Sequence, residues 1–280
     1  MSSCCICMCV YNNEEGLPKV LNNINKISYL FTSLKVLAFY DHSNDASLEI
    51  LKNAKINEND QIEIIINNNP KNIVKTENIC NARNELLKRV IEYSPEYFIM
   101  IDSNEYACVG DINSELLKEM LERSDEWDAL SFDRTAGYYD YWALSFDPYI
   151  FSFQHFTIHP NQVIEKMCES FKEILTDYKT NRPNELIPVY SAFNGFSIYK
   201  TSKFSNCKYG IYILLNLFPI DILLKQLNLL NCSLKNSLFN DCEHRRFHLE
   251  GISKNNAKIR ICTKSLFNKV ENNKITRGPC

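Results

Sequence analysis

The chain has 280 residues, 45% of them hydrophobic, and a formal net charge of -3. That is enough apolar material for one large α/β domain or two small ones. The near-balanced charge provides no basic stripe for nucleic acid and no acidic block of the kind found in disordered tails.

In chain order, the first expected strand runs from Cys4 to Tyr11, with Cys5, Cys7 and Cys9 alternating with Ile6 and Met8 so that the thiols share one face. The chain has twelve cysteines and no second CxxC pair to complete a zinc site. They read as free thiols packing as small hydrophobes. With no basic leader segment, they point to a reducing compartment such as the cytoplasm.

A helix follows, with Asn13 as its cap, Glu14 and Glu15 in its first turn, and Leu17, Val20, Leu21 and Ile24 on its apolar face. Leu34 to Tyr40 is a second strand. It closes on Asp41, and Ser43 or Asp45 can cap the next helix. Gln61 to Ile66 is a third strand. After the polar loop NNNPKN, a helix carries Arg83 ahead of the apolar stripe Leu86, Leu87, Val90 and Ile91.

The fourth strand lies in YFIMIDSNEY, Tyr97 to Tyr106. It is buried on both faces and ends in Asp102, Ser103, Asn104 and Glu105. Strand–helix alternation over this half implies a largely parallel sheet with right-handed crossovers. Ligands gather at the carboxyl ends of such strands, where Asp102 is well placed to hold Mg²⁺ or Mn²⁺ through hard oxygens.

Further elements are a helix from Asn113 to Arg123, a strand from Trp127 to Asp133, and aromatic strands in YYDYWALSFDPY and PVYSAFNGFSIYK. A helix near Asn161 to Tyr178, a short helix in DCEHRRFHLE and a late strand in AKIRICTK complete the set. Ile211 to Leu230 is broken by Asn216, Pro219, Asp221 and Lys225, so it reads as a core segment rather than a transmembrane span of ~20 residues. The chain has only seven glycines, and none follows the first strand in the pattern a dinucleotide site needs.

Four stretches in order, VYNNEEGL, FYDHSNDAS, NARNELL and YFIMIDSNEY, resemble the GT-A family of nucleotide-sugar glycosyltransferases. The resemblance implies a Rossmann-like, mostly parallel α/β sheet flanked by helices, with a mixed acceptor-side second half. It implies one domain over residues 1–267, with a nucleotide-binding half at 1–106, an acceptor half at 107–267, and a polar tail at 268–280.

In such enzymes the first two turns hold the nucleoside, which assigns Tyr11 to base stacking and Asn13 and Asp41 to base or ribose. Arg83 serves base or diphosphate. Asp102-Ser103-Asn104 stands where the family has the Asp-x-Asp metal motif. Asn104 offers a carbonyl oxygen without charge, so the cation rests on Asp102 and Asn104, or on Asp102 with Glu105 nearby.

The blocks YDYWALSFD, PVYSAFNGFSIYK and NDCEHRRFH are similar to those of glycosyltransferases from large DNA viruses and of fungal capsule-associated mannosyltransferases. They nominate Glu243, then Asp241, as the base that deprotonates the acceptor hydroxyl, with Asp140 as a further candidate. The plain alternative makes Asp241 a helix cap and Glu243 a first-turn acid. Tyr139, Tyr141 and Trp142 form either a sugar platform or core, and Asn194-Gly195 suggests close approach of backbone to ligand. His244 and His248 share a helix face and either complete the metal site or are structural; Arg245, with Arg246, clamps the diphosphate.

The implied function is transfer of a sugar from a UDP- or GDP-linked donor to a glycan, glycoprotein or other hydroxyl acceptor, inverting and Mn²⁺- or Mg²⁺-assisted. No nucleic-acid partner is implied. If the chain is viral, the host cytoplasm or virion is its setting. The alternative is a catalytically silent protein of the same fold that binds nucleotide sugars or acts as a scaffold.

Overall fold

The computed structural model describes residues 2–57, 60–104, 108, 110–135, 137–236 and 240–268. The first half comprises β1 (Ser2–Val10), α1 (Leu17–Ile27), β2 (Phe31–Tyr40), α2 (Ser47–Asn53), β3 (Lys55–Ile56), β4 (Asp60–Gln61), β5 (Glu63–Ile66), α3 (Lys75–Tyr93) and β6 (Tyr97–Asp102). Then come α4 (Ser114–Glu122), β7 (Ala129–Asp133), α5 (Pro160–Asn181), β8 (Ile187–Val189), β9 (Phe196–Lys200), α6 (Thr201–Phe204), α7 (Ile220–Leu230), α8 (Glu243–Asn255) and β10 (Ile259–Ser265).

An eight-stranded sheet has the order β5-β2-β1-β6-β9-β7-β10-β8. Its first four strands are parallel to one another, as are β7 and β10, while β9 runs antiparallel between β6 and β7 and β8 is an antiparallel edge. This is the expected mostly parallel architecture with a mixed second half.

The alternation in β1 feeds both faces of the sheet. Cys5 and Cys7 pack with Phe98, Met100 and the Leu86–Leu87–Val90 stripe of α3. Cys4, Ile6, Met8 and Val10 face α1 through Leu17, Val20 and Ile24. Burial holds the Cys4 and Cys7 thiols well above their usual titration range, so they serve as apolar packing.

Several local expectations are corrected. Helix α1 begins at Leu17 behind Gly16, and the Asn13 side chain accepts from the Tyr11 N–H instead of capping the helix. Gln61 pairs in a separate two-stranded ladder, so the third strand of the main sheet begins at Glu63. The aromatic run from Tyr138 to Tyr149 forms turns, with one isolated bridge from Ser145 to Ser191. Its rings still fill the core: Tyr138 and Tyr141 pack edge-on to Phe171 of α5. The Ile211–Leu230 region is only half core, because Ile222, Leu223 and Leu230 are buried while Leu215, Ile220 and Leu224 are exposed. Among the described residues, no helix is long and apolar enough to cross a membrane.

Candidate active site

Parallel pairing sets the ends of β1, β2 and β6 side by side: Val10 lies opposite Tyr40, and Cys9 opposite Asp102. Tyr11, Asp41 and Asp102 therefore border one edge. The turns there are stitched together. Asp41 N–H donates to Val10 O at 2.9 Å, and Ser103 Oγ donates to Cys9 O at 2.7 Å and to Asn13 Oδ1 at 3.2 Å. Asn12 adopts a left-handed backbone (φ 49°), and its N–H donates to Ser43 Oγ at 2.9 Å.

Tyr11 is 48% exposed, and the Lys71 ammonium lies 3.6 Å from its ring centroid. Lys71 Nζ is also 3.5 Å from Asp41 Oδ2, while Asn67 donates to Asp41 Oδ1 at 3.0 Å. A half-exposed aromatic ring, a carboxylate, an ammonium and an amide thus gather within one corner. Such a set can stack on a planar base and exchange hydrogen bonds with its edge. Sequence reasoning passed over Lys71. The signal was available, because the loop after β5 opens on the same edge as the loops after β1 and β2.

Beneath this corner lies Arg83, 6% exposed on α3. Its guanidinium meets Asp102 Oδ1 at 3.2 Å and also contacts Glu243 Oε1 and His244 Nε2. The plane lies over the Phe193 ring at 4.6 Å, and His244 stacks on the same ring at 3.9 Å. Burial pushes the Asp102 carboxyl up to about 6, against the pull of Arg83. Burial likewise raises Glu243, with Arg83 opposing. Glu243 stands in the first turn of α8, where the helix dipole favours an anion, but its side chain is buried against Arg83.

Asp140 approaches the same hub from the turn after β7. Its Oδ1 accepts from Ala143 N–H at 3.2 Å and its Oδ2 from Asn194 N–H at 3.3 Å. Burial raises its titration, and its charge in turn raises that of Asp102 and Glu243. Asp140 keeps partial exposure, whereas Glu243 is 4% exposed.

Three expected contributors are bonded elsewhere and do not join the Arg83 cluster. Arg245 is fully buried; it donates to Asp241 Oδ2 at 2.9 Å, to Leu144 O at 3.0 Å, and to Ser145 Oγ and Trp142 O. It ties α8 to the 142–150 turn and has no free donor edge for a diphosphate. Asp241 is its partner, with His155 Nε2 3.3 Å from the other oxygen. Although burial opposes its ionisation, Arg245 and then His155 hold this carboxyl below its ordinary range, which suits a fixed counter-ion and not a base. His248 shares a helix face with His244, as its spacing implied, but its nitrogens lie against Ser191 Oγ at 2.9 Å and Tyr199 OH at 3.1 Å.

The metal expectation narrows accordingly. Among the described residues, no group of three or more His, Cys, Asp or Glu side chains is placed to hold a metal ion. His244 is sandwiched against Phe193 and Arg83, and His248 is bonded in the core, so neither imidazole fits as a ligand. The hard oxygens of Asp102 and the Asn104 amide do suit Mg²⁺ or Mn²⁺, which commonly rest on one or two protein oxygens plus substrate phosphates. Glu105 lies outside the described residues.

This mostly parallel eight-stranded sheet flanked by helices is the GT-A fold of glycosyltransferases. Staphylococcus aureus TarS superposes with a TM-score of 0.53 at 15% identity, over 95% of this chain and 36% of that one. The TarS 1–349 complexes with UDP and with UDP-GlcNAc give TM-scores of 0.52 and 0.50, each at 15% identity, over 95% and 98% of this chain. The chain spans 59% and 60% of those two structures, and about a third of the longer TarS chain. No protein-family model matches the sequence, and no curated protein does.

Proposed function

We propose that the protein transfers a sugar from a UDP- or GDP-linked donor to a hydroxyl acceptor, with inversion at the anomeric carbon. The observation that carries this reading is the convergence of Tyr11, Asp41 and Asp102 on one sheet edge above the buried Arg83. The fold shared with TarS, solved with UDP and UDP-GlcNAc, supports it.

In this reading Tyr11 stacks on the base, and Asp41 accepts from a base N–H. Lys71 and Asn67 orient Asp41, and Asn13 fixes the turn that presents Tyr11. Asp102, with the Asn104 carbonyl, would hold a divalent cation, which supplies charge compensation for the departing diphosphate. Arg83 holds Asp102 in place and keeps the local charge from becoming strongly negative.

Asp140 is the acceptor base in this account. Its carboxylate is pinned by two backbone N–H groups and partly open, and burial raises its titration above the ordinary carboxylate value, the direction that favours a base. Glu243 is the counter-ion of Arg83. The likeness of the Tyr-Asp-x-Trp and Cys-Glu blocks to viral and capsule-building enzymes favours a glycan acceptor and a cytoplasmic or virion setting.

The test is a panel of UDP- and GDP-sugars, with Mn²⁺, scored by thermal shift and by donor hydrolysis or transfer. Stabilisation by one nucleotide class with turnover supports the enzyme. Stabilisation without turnover on any acceptor supports the silent binding protein. No response to any donor overturns both.

A further inference from the structure

Asn194 has a left-handed backbone (φ 55°) at a non-glycine position and is 4% exposed. Its Oδ1 accepts from the N–H groups of Tyr139 at 3.2 Å and Asp140 at 3.3 Å. Its Nδ2 donates to Phe132 O at 2.8 Å, and its own N–H donates to Asp140 Oδ2 at 3.3 Å. The next residue, Gly195 (φ 85°), accepts from the Asp102 N–H at 2.8 Å through its carbonyl. Two successive residues therefore grip the segment carrying Asp140 and the strand end carrying Asp102.

We propose that the Asn194–Gly195 turn is a positioning element that fixes the Asp140 carboxylate relative to Asp102, so that the acceptor base and the donor-holding carboxylate keep one separation. The inference rests on the reading of Asp140 as the base.

The Asn194 side chain holds the Tyr139 and Asp140 N–H groups through Oδ1 and anchors itself on Phe132 O of β7 through Nδ2, and neither of these bonds reaches the nucleoside corner. Its loss therefore acts on transfer and leaves donor binding alone. A left-handed backbone at this point is tolerated by Asn, Asp or Gly and disfavoured for other residues. Asn194→Gly thus keeps the turn and deletes only the side-chain bonds. Misplacing a reacting group by an ångström can cost on the order of 100-fold.

The experiment measures kcat for transfer and Kd for the donor nucleotide in Asn194→Gly, Asp140→Asn and the double variant. The expected result is a fall in kcat of roughly 10- to 100-fold in Asn194→Gly, an unchanged Kd, and no further loss when the change is added to Asp140→Asn. Wild-type kcat in Asn194→Gly, a parallel loss of donor affinity, or full additivity in the double variant overturns the inference. If Asp140→Asn itself transfers normally, the base assignment falls and this inference with it. An active Asn194→Gly beside a dead Asp140→Asn overturns the inference alone.

Asn194→Asp provides a second reading should the glycine variant not fold. It keeps the backbone and the accepting oxygen while adding a carboxylate beside Asp140, which already faces Asp102, Glu243, Arg83 and Arg245. An alkaline shift of the transfer pH profile is expected, and an unshifted profile overturns the proposal.

Discussion

Arg83 and Asp102 meet at 3.2 Å at the end of β6, with Glu243 on the other side of the same guanidinium. One buried cation thus serves two carboxylates from distant parts of the chain. Removing it leaves both without compensation, which for a buried pair costs about 3–5 kcal/mol. Arg83→Ala is expected to lose about that much in urea unfolding. A loss under about 1 kcal/mol would show that the cluster contributes little to the fold.

Asp140 and Glu243 separate by consequence. Asp140→Asn is expected to lower transfer by about 10²- to 10⁴-fold, the usual contribution of a general base, with donor affinity unchanged. Glu243→Gln is expected to lower stability as well, because Arg83 loses its closest counter-ion. A Glu243→Gln enzyme that is fully stable but unable to transfer would return the base role to Glu243.

Arg245 is a fold residue by its bonds. Arg245→Ala strands Asp241 and the oxygens of the 142–150 turn, so a loss of about 3–5 kcal/mol is expected. The contrary outcome is intact stability with weakened nucleotide binding, which would place Arg245 on the diphosphate.

His248 gives a pH dependence of definite sign. Burial first, then Arg245 and Arg83, depress its titration to about 3, against about 6.5 in the unfolded chain. Between these values the unfolded state binds a proton that the folded state refuses. Stability from this group is complete above the unfolded value and declines as pH falls toward 3, by about 1.4 kcal/mol per pH unit. Urea midpoints from pH 4 to 7 should fall less steeply with acid in His248→Gln than in wild type. Parallel curves would mean that His248 takes up its proton as readily in the fold as in the unfolded chain, contradicting the depressed titration.

The parts of this arrangement readable in the sequence are those set by local pattern. The apolar run ending in Asp102 and the two polar turns after β1 and β2 suffice to place Tyr11, Asp41 and Asp102 on one rim once strands pair in parallel. The alternating cysteines gave the faces of β1. Long-range bonds were illegible. Nothing in DCEHRR says that Arg245 points inward to Asp241 and the 142–150 turn, because almost every side of α8 is buried. The Tyr138–Tyr149 segment carries strand-like composition, but bonds from Asp140, Asn194 and Arg245 to its backbone replace a ladder. Phe193 carries no ligand-binding chemistry of its own, and only the fold reveals its place against Arg83.

The most direct measurement is calorimetric titration of UDP and GDP, with Mn²⁺, into the wild-type protein and into Tyr11→Ala and Asp41→Ala. The account predicts saturable binding of one nucleotide, weakened by about 1–3 kcal/mol without the stacking ring, weakened again without Asp41, and little change in melting temperature for Tyr11→Ala. Equal binding by all three proteins, or none by any, would contradict a nucleotide site at the joined ends of β1, β2 and β6.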